Sequence, residues 1–239
     1  MKLKAPIDIH EATVEHFQPR NSAGEIVADA LIGTLAAAVR KTRENTETLV
    51  SLADALSLDR TVTPDANALK LRENALRLAE ASAKKLDEAK ARVEAEIATL
   101  EQRVGSPPPP QDQLALNMEA EIRSRLAAMP EAERDKAVES AFAEKNLTII
   151  SAVLRGPAFL SGISPAKHAM ARHRYGATFH AEELARRDRL KSALDATERS
   201  GQSFVRFVTQ VATNQAVTVA EAQSNARSAE QAVAAAITE

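Results

Sequence analysis

A cluster of cationic side chains between positions 167 and 191 is the part of the sequence best suited to binding chemistry. Seven Lys and Arg residues occur there with only three carboxylates, and Tyr175 and Phe179 lie in the same stretch. Lys and Arg neutralise phosphates, and aromatic rings stack on bases, so this composition indicates a nucleic-acid-binding surface. The candidate residues are Lys167, Arg172, Arg174, Arg186, Arg187, Arg189 and Lys191.

A second interpretation of the same cluster is structural. Its arginines can bridge acidic side chains of a neighbouring helix, and segment 64–104 is rich in Glu. For an isolated chain we favour this interpretation, because paired charges are the usual state of arginines at a helix–helix corner. Repetition of the local excess of four positive charges around a ring of copies would strengthen the nucleic-acid alternative.

Metal and catalytic chemistry have little support in the sequence. His168 and His173 are five residues apart, which places them roughly 140° apart around a helix, too divergent to share a small cation. His180 is separated from His173 by Gly176, and ordinary surface histidines are the favoured interpretation. There is no Cys, no phosphate-binding loop, no nucleophile elbow and no H-E-x-x-H motif. The sequence therefore predicts no catalytic site, no metal site and no cofactor.

The elements that would position these residues are delimited by Pro and Gly. Thr63, Asp112 and Ser164 are predicted N-caps, and Gly105 and Gly176 are predicted helix stops. The predicted divisions are an extended N-terminal arm with at most one helical turn (1–24), an antiparallel helical hairpin (25–105, with helices at 25–58 and 64–104), a polyproline linker (106–111), a region of short helices (112–176) and a long C-terminal helix (177–239).

Segments 64–104 and 177–239 both carry apolar residues at alternating spacings of three and four. In the first, the series from Leu69 to Val104 predicts a heptad seam over five repeats. In the second, the seam shifts after Gln215 and becomes almost all Ala, which permits close approach of helices. We therefore expect the C-terminal helix to form an oligomer interface through Phe204, Val208, Val211, Val219, Ala222, Ala226, Ala229 and Val233.

Two further segments bear on the helical interpretation. The charge-free stretch 207–220 is predicted to lie inside a bundle, with an oligomer interior or the lining of a wet channel as the alternative. The apolar, β-branched stretch 147–154 resembles a strand, but without a second strand to pair with, a buried helix is expected.

Composition agrees with an all-α fold. The 239 residues include 48 Ala, 7 Gly, six Phe, one Tyr, no Trp and no Cys. Few aromatic rings and abundant Ala favour long helices packed along their sides, so we expect an elongated all-α molecule. The net charge is −2, no apolar run reaches the ~20 residues of a membrane span, and the N-terminus is unlike a signal peptide.

The stretch from Met129 to Ile163, followed by long Ala-rich helices, resembles helical proteins encoded in the structural modules of tailed bacteriophages. That resemblance implies an internal, ejection, scaffolding or connector-associated role. It also implies location in the host cytoplasm during assembly and then in the virion. The expected function is that of a non-enzymatic structural protein that associates with itself and with other structural proteins. The alternative is a nucleic-acid-binding helical protein that uses the basic cluster at 167–191.

Overall fold

The computed structural model describes residues 3–238, and over this range the chain folds into nine α-helices without a β-strand. The prediction of an all-α fold is confirmed. Met1, Lys2 and Glu239, which belong to the predicted arm and C-terminal helix, lie outside the described residues. The helices are α1 (Ala12–Glu15), α2 (Ala30–Leu58), α3 (Pro64–Gly105), α4 (Gln113–Ala128), α5 (Glu131–Ala143), α6 (Leu147–Arg155), α7 (Pro165–Phe179), α8 (Ala181–Ala212) and α9 (Gln215–Thr238).

The predicted N-caps are present in the structure. The side chains of Thr63, Asp112 and Ser164 accept hydrogen bonds from backbone N–H groups in the first turns of α3, α4 and α7, at 3.3, 2.7 and 3.3 Å. The predicted start of α2 at position 25 is wrong, because the Asp29 side chain accepts from the N–H of Leu31 at 2.9 Å and caps the helix there.

The contacts divide the chain into two compact units, residues 1–93 with 190–239 and residues 94–189. The predicted divisions differ from these units. The polyproline segment 106–111 falls inside the second unit, and the predicted C-terminal helix is divided between both. The predicted boundary between the helical hairpin and the region of short helices was the polyproline linker at 106–111. The division lies instead at residues 93 and 94, within the uninterrupted helix α3.

The first unit is built on an antiparallel pair of helices, α2 and the first part of α3. The Asn45 amide donates to the Ser82 hydroxyl at 2.9 Å in the buried contact between them. Nearer the connecting turn, the Asn67 amide donates to the Leu56 carbonyl at 3.1 Å. The polar middle of α2 is therefore buried and hydrogen-bonded.

The second part of α8 forms a third helix in this unit, antiparallel to α3. Lys90 pairs with Glu198 at 2.8 Å, and one turn away Leu86 lies beside Gly201. Gly201 is inside the uninterrupted helix α8, and the helical conformation is interrupted at Thr213 and Asn214. The Asn214 side chain accepts from the N–H of Val217 at 3.0 Å and donates to the Val211 carbonyl at 2.9 Å, so it ends α8 and caps α9.

The buried face of α3 departs from the predicted heptad seam in its first half. Leu76, a predicted seam residue, is 46% exposed, whereas the neighbouring Ala75 is fully buried. The buried positions of α3, together with the half-buried Leu71 and Leu78, recur with spacings of four, four and three, which is an 11-residue repeat rather than a 7-residue one. They are Asn67, Leu71, Ala75, Leu78, Ser82, Leu86, Ala89, Val93, Ile97, Leu100 and Val104.

The N-terminal segment packs against the other helices of the first unit and is not the extended arm that was predicted. The side chains of Ile9 and Val14 are 1% and 0% exposed. The Glu11 carboxylate accepts two hydrogen bonds of 3.0 Å from the Arg43 guanidinium on α2. The predicted single helical turn is present as α1.

The second unit encloses a small apolar core to which α4, α5, α6 and α7 contribute. Its centre includes Phe142, Ile150, Leu154 and Tyr175. Segment 147–154 lies in α6, so the prediction of a buried helix rather than a strand is confirmed. The predicted stop at Gly176 is wrong: α7 continues to Phe179, and Gly176 is buried against Val104.

Candidate functional site: the basic cluster and the C-terminal helix

Lys167 and Arg174 of the basic cluster are paired with carboxylates of α5. The Lys167 ammonium contacts Glu131 at 2.8 Å and Asp135 at 2.6 Å, and the hydrogen bonds to Asp135 and Glu131 raise the pKa of Lys167. The Arg174 guanidinium pairs with Glu139 at 2.6 Å. These two cations hold α7 to α5 across the small core of the second unit.

Arg174 makes a second contact that orients its guanidinium. The guanidinium carbon lies 4.7 Å from the centroid of the Phe142 ring, a distance typical of a cation–π interaction. Held by both an acid and a ring, this cation serves the packing of α7 on α5.

Arg186 and Arg187 on α8 are also paired within the second unit. Arg186 forms an ion pair with Glu96 on α3, and Arg187 contacts Asp188 at 2.6 Å. The pairing of Arg186 with an acid of α3 is the bridging contact that the structural interpretation of the cluster predicts. Four of the seven candidate cations are thus held by carboxylates of the same unit.

The remaining three members of the cluster differ in their surroundings. Arg172 is exposed and lines a cleft together with Glu101 and Asp188. Arg189 is half-buried, and its Nε atom is buried without a hydrogen-bond partner. Lys191 is exposed on α8 and belongs to the first unit. The seven residues therefore do not form one continuous cationic surface within either unit.

The two aromatic residues of the cluster are part of the core. The Tyr175 side chain is only 2% exposed, and the half-buried Phe179 ring lies 5.3 Å from it, centroid to centroid. A ring enclosed in this way presents no face on which a base could stack. The expectation that Tyr175 supports nucleic-acid binding is therefore corrected by its burial.

A hydrogen-bonded chain that sequence reasoning missed joins the end of α7 to the start of α8. The Nε2 atom of His180 lies 3.1 Å from the Tyr175 hydroxyl, and its Nδ1 atom lies 3.3 Å from the Glu183 carboxylate. The N–H of Nδ1 donates to Glu183 and the phenol donates to Nε2 when the imidazole is neutral. The spacing His-x-x-Glu after a tyrosine was the available signal.

The electrostatics of this chain favour a structural role. Burial raises the pKa of the Tyr175 phenol, which keeps it protonated at neutral pH. The pKa of Glu183 is lowered by its own backbone N–H at the start of α8 and by His180. The hydrogen bonds of this chain tie the non-helical residue His180, between α7 and α8, to both helices, and the neutral, buried phenol is not accessible as a nucleophile.

Sequence reasoning also missed a buried carboxylate in α4. Glu119 is 7% exposed and pairs with Arg155 of α6 at 2.6 Å, and Arg123 lies 3.7 Å away on the next turn of α4. The Arg123 guanidinium also donates to the Ala152 carbonyl at 3.2 Å. This triad joins α4 to α6 at the edge of the small core.

The predicted oligomer interface separates into a buried part and an exposed part. Phe204, Val208 and Val211 are 3%, 5% and 0% exposed because they pack inside the first unit. They are consequently core residues, and the expectation that they contact another copy is corrected. Part of the charge-free stretch 207–220 is buried within the same unit, as predicted, because Phe207, Val211 and Val217 are 4%, 0% and 1% exposed, whereas Ala216 and Val219 are exposed.

The exposed part of the predicted interface lies on α9. Beyond Glu221 every side chain that the structure describes is exposed, up to position 237. Val219, Val233 and Ile237 are 45%, 59% and 79% exposed. The remaining members of the predicted interface, Ala222, Ala226 and Ala229, lie on this bare helix. Glu221 pairs with Arg72 and is the last residue of α9, among those whose side chains the structure describes, that is not exposed.

The structure and the comparisons add three findings. Within residues 3–238, no helix combines the length and apolar character needed to cross a bilayer. Across the same residues, no group of three or more acidic or imidazole side chains could hold a metal ion. Comparisons of the chain with protein-family models, with curated proteins and with solved structures find no match.

Proposed function

We propose that this chain is a non-enzymatic helical structural protein that associates with itself through the exposed part of α9. The observation that carries this proposal is the exposure of every described side chain from Ala222 to Ile237. A helix exposed on all sides gains no stabilisation from tertiary packing, which supplies most of the stability of helices in proteins. Docking of its apolar stripe against another helix would supply the missing stabilisation.

The occupant we propose for this surface is α9 of a second copy. From Val219 to Ala236 the apolar stripe keeps a heptad spacing, which is the pattern two helices need to pack along their length. Between Ala222 and Thr238 there are only two charges, Arg227 and Glu230, and they cancel. Two identical neutral stripes can approach without repulsion, and their Ala side chains allow close contact of the backbones.

The setting we propose is a tailed-phage particle, assembled in the host cytoplasm together with other structural proteins. Its support is the resemblance of the stretch from Met129 to Ile163 to helical proteins of phage structural modules. Long helices and a self-associating C-terminus suit an internal, ejection, scaffolding or connector-associated component.

The proposal is tested by the mass of the purified protein in light scattering. We expect wild type to have a multiple of the chain mass and the variant A222E/A226E/A229E to be monomeric, because three carboxylates along the stripe repel one another. The matched control, S224E/S228E/Q231E, adds the same charge with the same spacing on the opposite face of α9 and should assemble as wild type does. Equal masses for wild type and the stripe variant would overturn the proposal.

A further inference from the structure

A groove in the first unit, separate from the basic cluster and from α9, carries an arrangement of cations that the proposed function does not use. The groove lies between the N-terminal segment and α8 and has a volume of about 640 Å³. Its walls are tied together where the Ser200 hydroxyl donates to the Asp8 carbonyl at 3.1 Å. Both walls belong to one unit.

Two arginines of α8, Arg199 and Arg206, line this groove. Seven residues separate them, so they share a face of the helix and their Cα atoms are about 10 Å apart along its axis. Within the described part of the chain, neither guanidinium lies within 4 Å of a carboxylate. By contrast, Arg40 and Arg43 of the same unit are both paired with carboxylates. Arg40 pairs with Glu15, and Arg43 pairs with Glu11.

Neutral groups hold Arg206 without cancelling its charge. Its guanidinium donates to the Ser203 hydroxyl at 3.2 Å and to the Gln202 carbonyl at 3.4 Å. Because the Ser203 oxygen accepts from Arg206, its own hydrogen can be donated to a ligand. Asp8 is the one carboxylate-bearing residue in the lining, so the two arginines leave the groove with a net positive charge.

We propose that this groove binds a ligand carrying at least two phosphate groups, with Arg199 on one and Arg206 on the other. The planar fork of a guanidinium matches the oxygens of a phosphate, and an arginine without a carboxylate partner can turn that fork to the ligand. A separation of about 10 Å along the helix exceeds the reach of one phosphate and suits an extended polyanion. A nucleic-acid strand and a small polyphosphate share this chemistry.

The test uses the full-length protein and a fluorescein-labelled single-stranded oligothymidylate, with binding measured by fluorescence anisotropy over a range of salt concentrations. We expect wild type to bind at low salt, and R199Q/R206Q to bind at least about tenfold more weakly. Losing two phosphate contacts should also make the slope of log K against log salt shallower by about 1.4. The control R77Q/R92Q removes two exposed arginines of α3 in the same unit and should bind within about twofold of wild type.

A second arm uses inorganic tripolyphosphate to identify the source of the phosphates. Displacement of the oligonucleotide by tripolyphosphate, with the same dependence on Arg199 and Arg206, would assign the groove to small polyphosphates. Binding of the oligonucleotide alone, with that dependence, would assign it to a strand. The proposal is overturned when neither probe binds wild type at low salt, or when the two double variants lose affinity equally. Because the arginines are exposed, thermal unfolding should be unchanged in both variants, and this confirms that any loss is local.

Discussion

The hydroxyl of Tyr175 lies 3.1 Å from the Nε2 atom of His180, and this contact joins the buried end of α7 to the residue that precedes α8. Tyr175 is the single tyrosine of a chain without tryptophan, so its spectrum reports on this contact alone. The ring is 2% exposed, and the imidazole continues the chain to Glu183. The junction between α7 and α8 thus contains a spectroscopic probe of the second unit.

Alkaline titration of Tyr175 should show a pKa above its ordinary value of 10.0, because burial disfavours the phenolate. Below that ordinary value the phenol is protonated in both the folded and the unfolded chain, so it makes the free energy of unfolding neither rise nor fall with pH. As pH rises above it, the unfolded chain ionises first, and the free energy of unfolding decreases until the folded pKa is passed. Ultraviolet absorbance of native and urea-unfolded protein measures both values, and equal values would contradict the burial argument. In Y175F this alkaline loss of stability should be absent.

Replacing Gly176 by Ala should destabilise the protein even though Ala favours helices. A Cβ atom at this position would lie 2.7 Å from Cγ1 of Val104, a stiff and buried side chain. The clash costs about 1–3 kcal/mol and exceeds the gain of about 1 kcal/mol in helix propensity. Urea unfolding checks the sign, and V104A should restore part of the loss in the double variant. A Cβ atom added at Gly33 of α2 would meet no heavy atom within 4 Å, so G33A is expected to stabilise the protein.

The sequence predicted local structure well where a residue acts on its own backbone. Thr63, Asp112 and Ser164 cap helices as expected, because an N-cap is satisfied within three residues of chain. Gly176 was misassigned because its role is set by Val104, far away in the chain. Close packing of a glycine and a helix stop require the same residue type, and the local sequence does not distinguish them.

The face that α3 buries could be predicted only in part. Leu86, Val93 and Val104 satisfy both a 7-residue and an 11-residue repeat, and all three are buried. Towards Pro64 the two repeats diverge, and α2 selects the one that contains Ser82 because Asn45 lies opposite it. The face of α3 that packs against α2 therefore includes the polar pair of Asn45 and Ser82, whereas the predicted seam was based mainly on apolar residues.

The candidate site residues divide for a similar reason. A count of charges identified Lys167 and Arg174, but their acidic partners Asp135 and Glu139 lie on another helix. The composition of one segment does not show which of its charges pair with residues elsewhere in the sequence. Likewise, Val208 and Val219 lie on apolar stripes of one predicted helix, but the chain forms two helices that meet at Asn214. Val208, before this break, is buried, and Val219, after it, is exposed.

Removing the charge of Glu11 should loosen the N-terminal segment. Hydrogen bonds from Arg43 lower the pKa of Glu11 below its ordinary value of 4.5, so the carboxylate stabilises the folded state above that value. This stabilisation is lost as pH falls through the folded pKa. E11Q should therefore be less stable than wild type at neutral pH, and the difference should vanish in acid. Limited proteolysis at the exposed stretch 21–28 measures the loosening. E15Q, which removes a more exposed carboxylate, is the control and should have the smaller effect; equal cleavage of wild type and E11Q would contradict the prediction.

Shortening α9 should separate the stability of the chain from its assembly. A chain that ends at Glu221 loses a segment whose side chains are exposed from position 222 to 237, so its thermal unfolding should match that of wild type at a concentration low enough to dissociate the assembly, while light scattering shows a monomer. A chain that ends at Asn214 also loses Val217 and Ala220, each 1% exposed, together with the pairing of Glu221 with Arg72. Burial of a valine alone contributes about 1.5–3 kcal/mol, so this shorter chain should unfold at a lower temperature. If the chain that ends at Glu221 were destabilised as a monomer or remained assembled, the last turns of α9 would not be the free self-association surface that their exposure indicates.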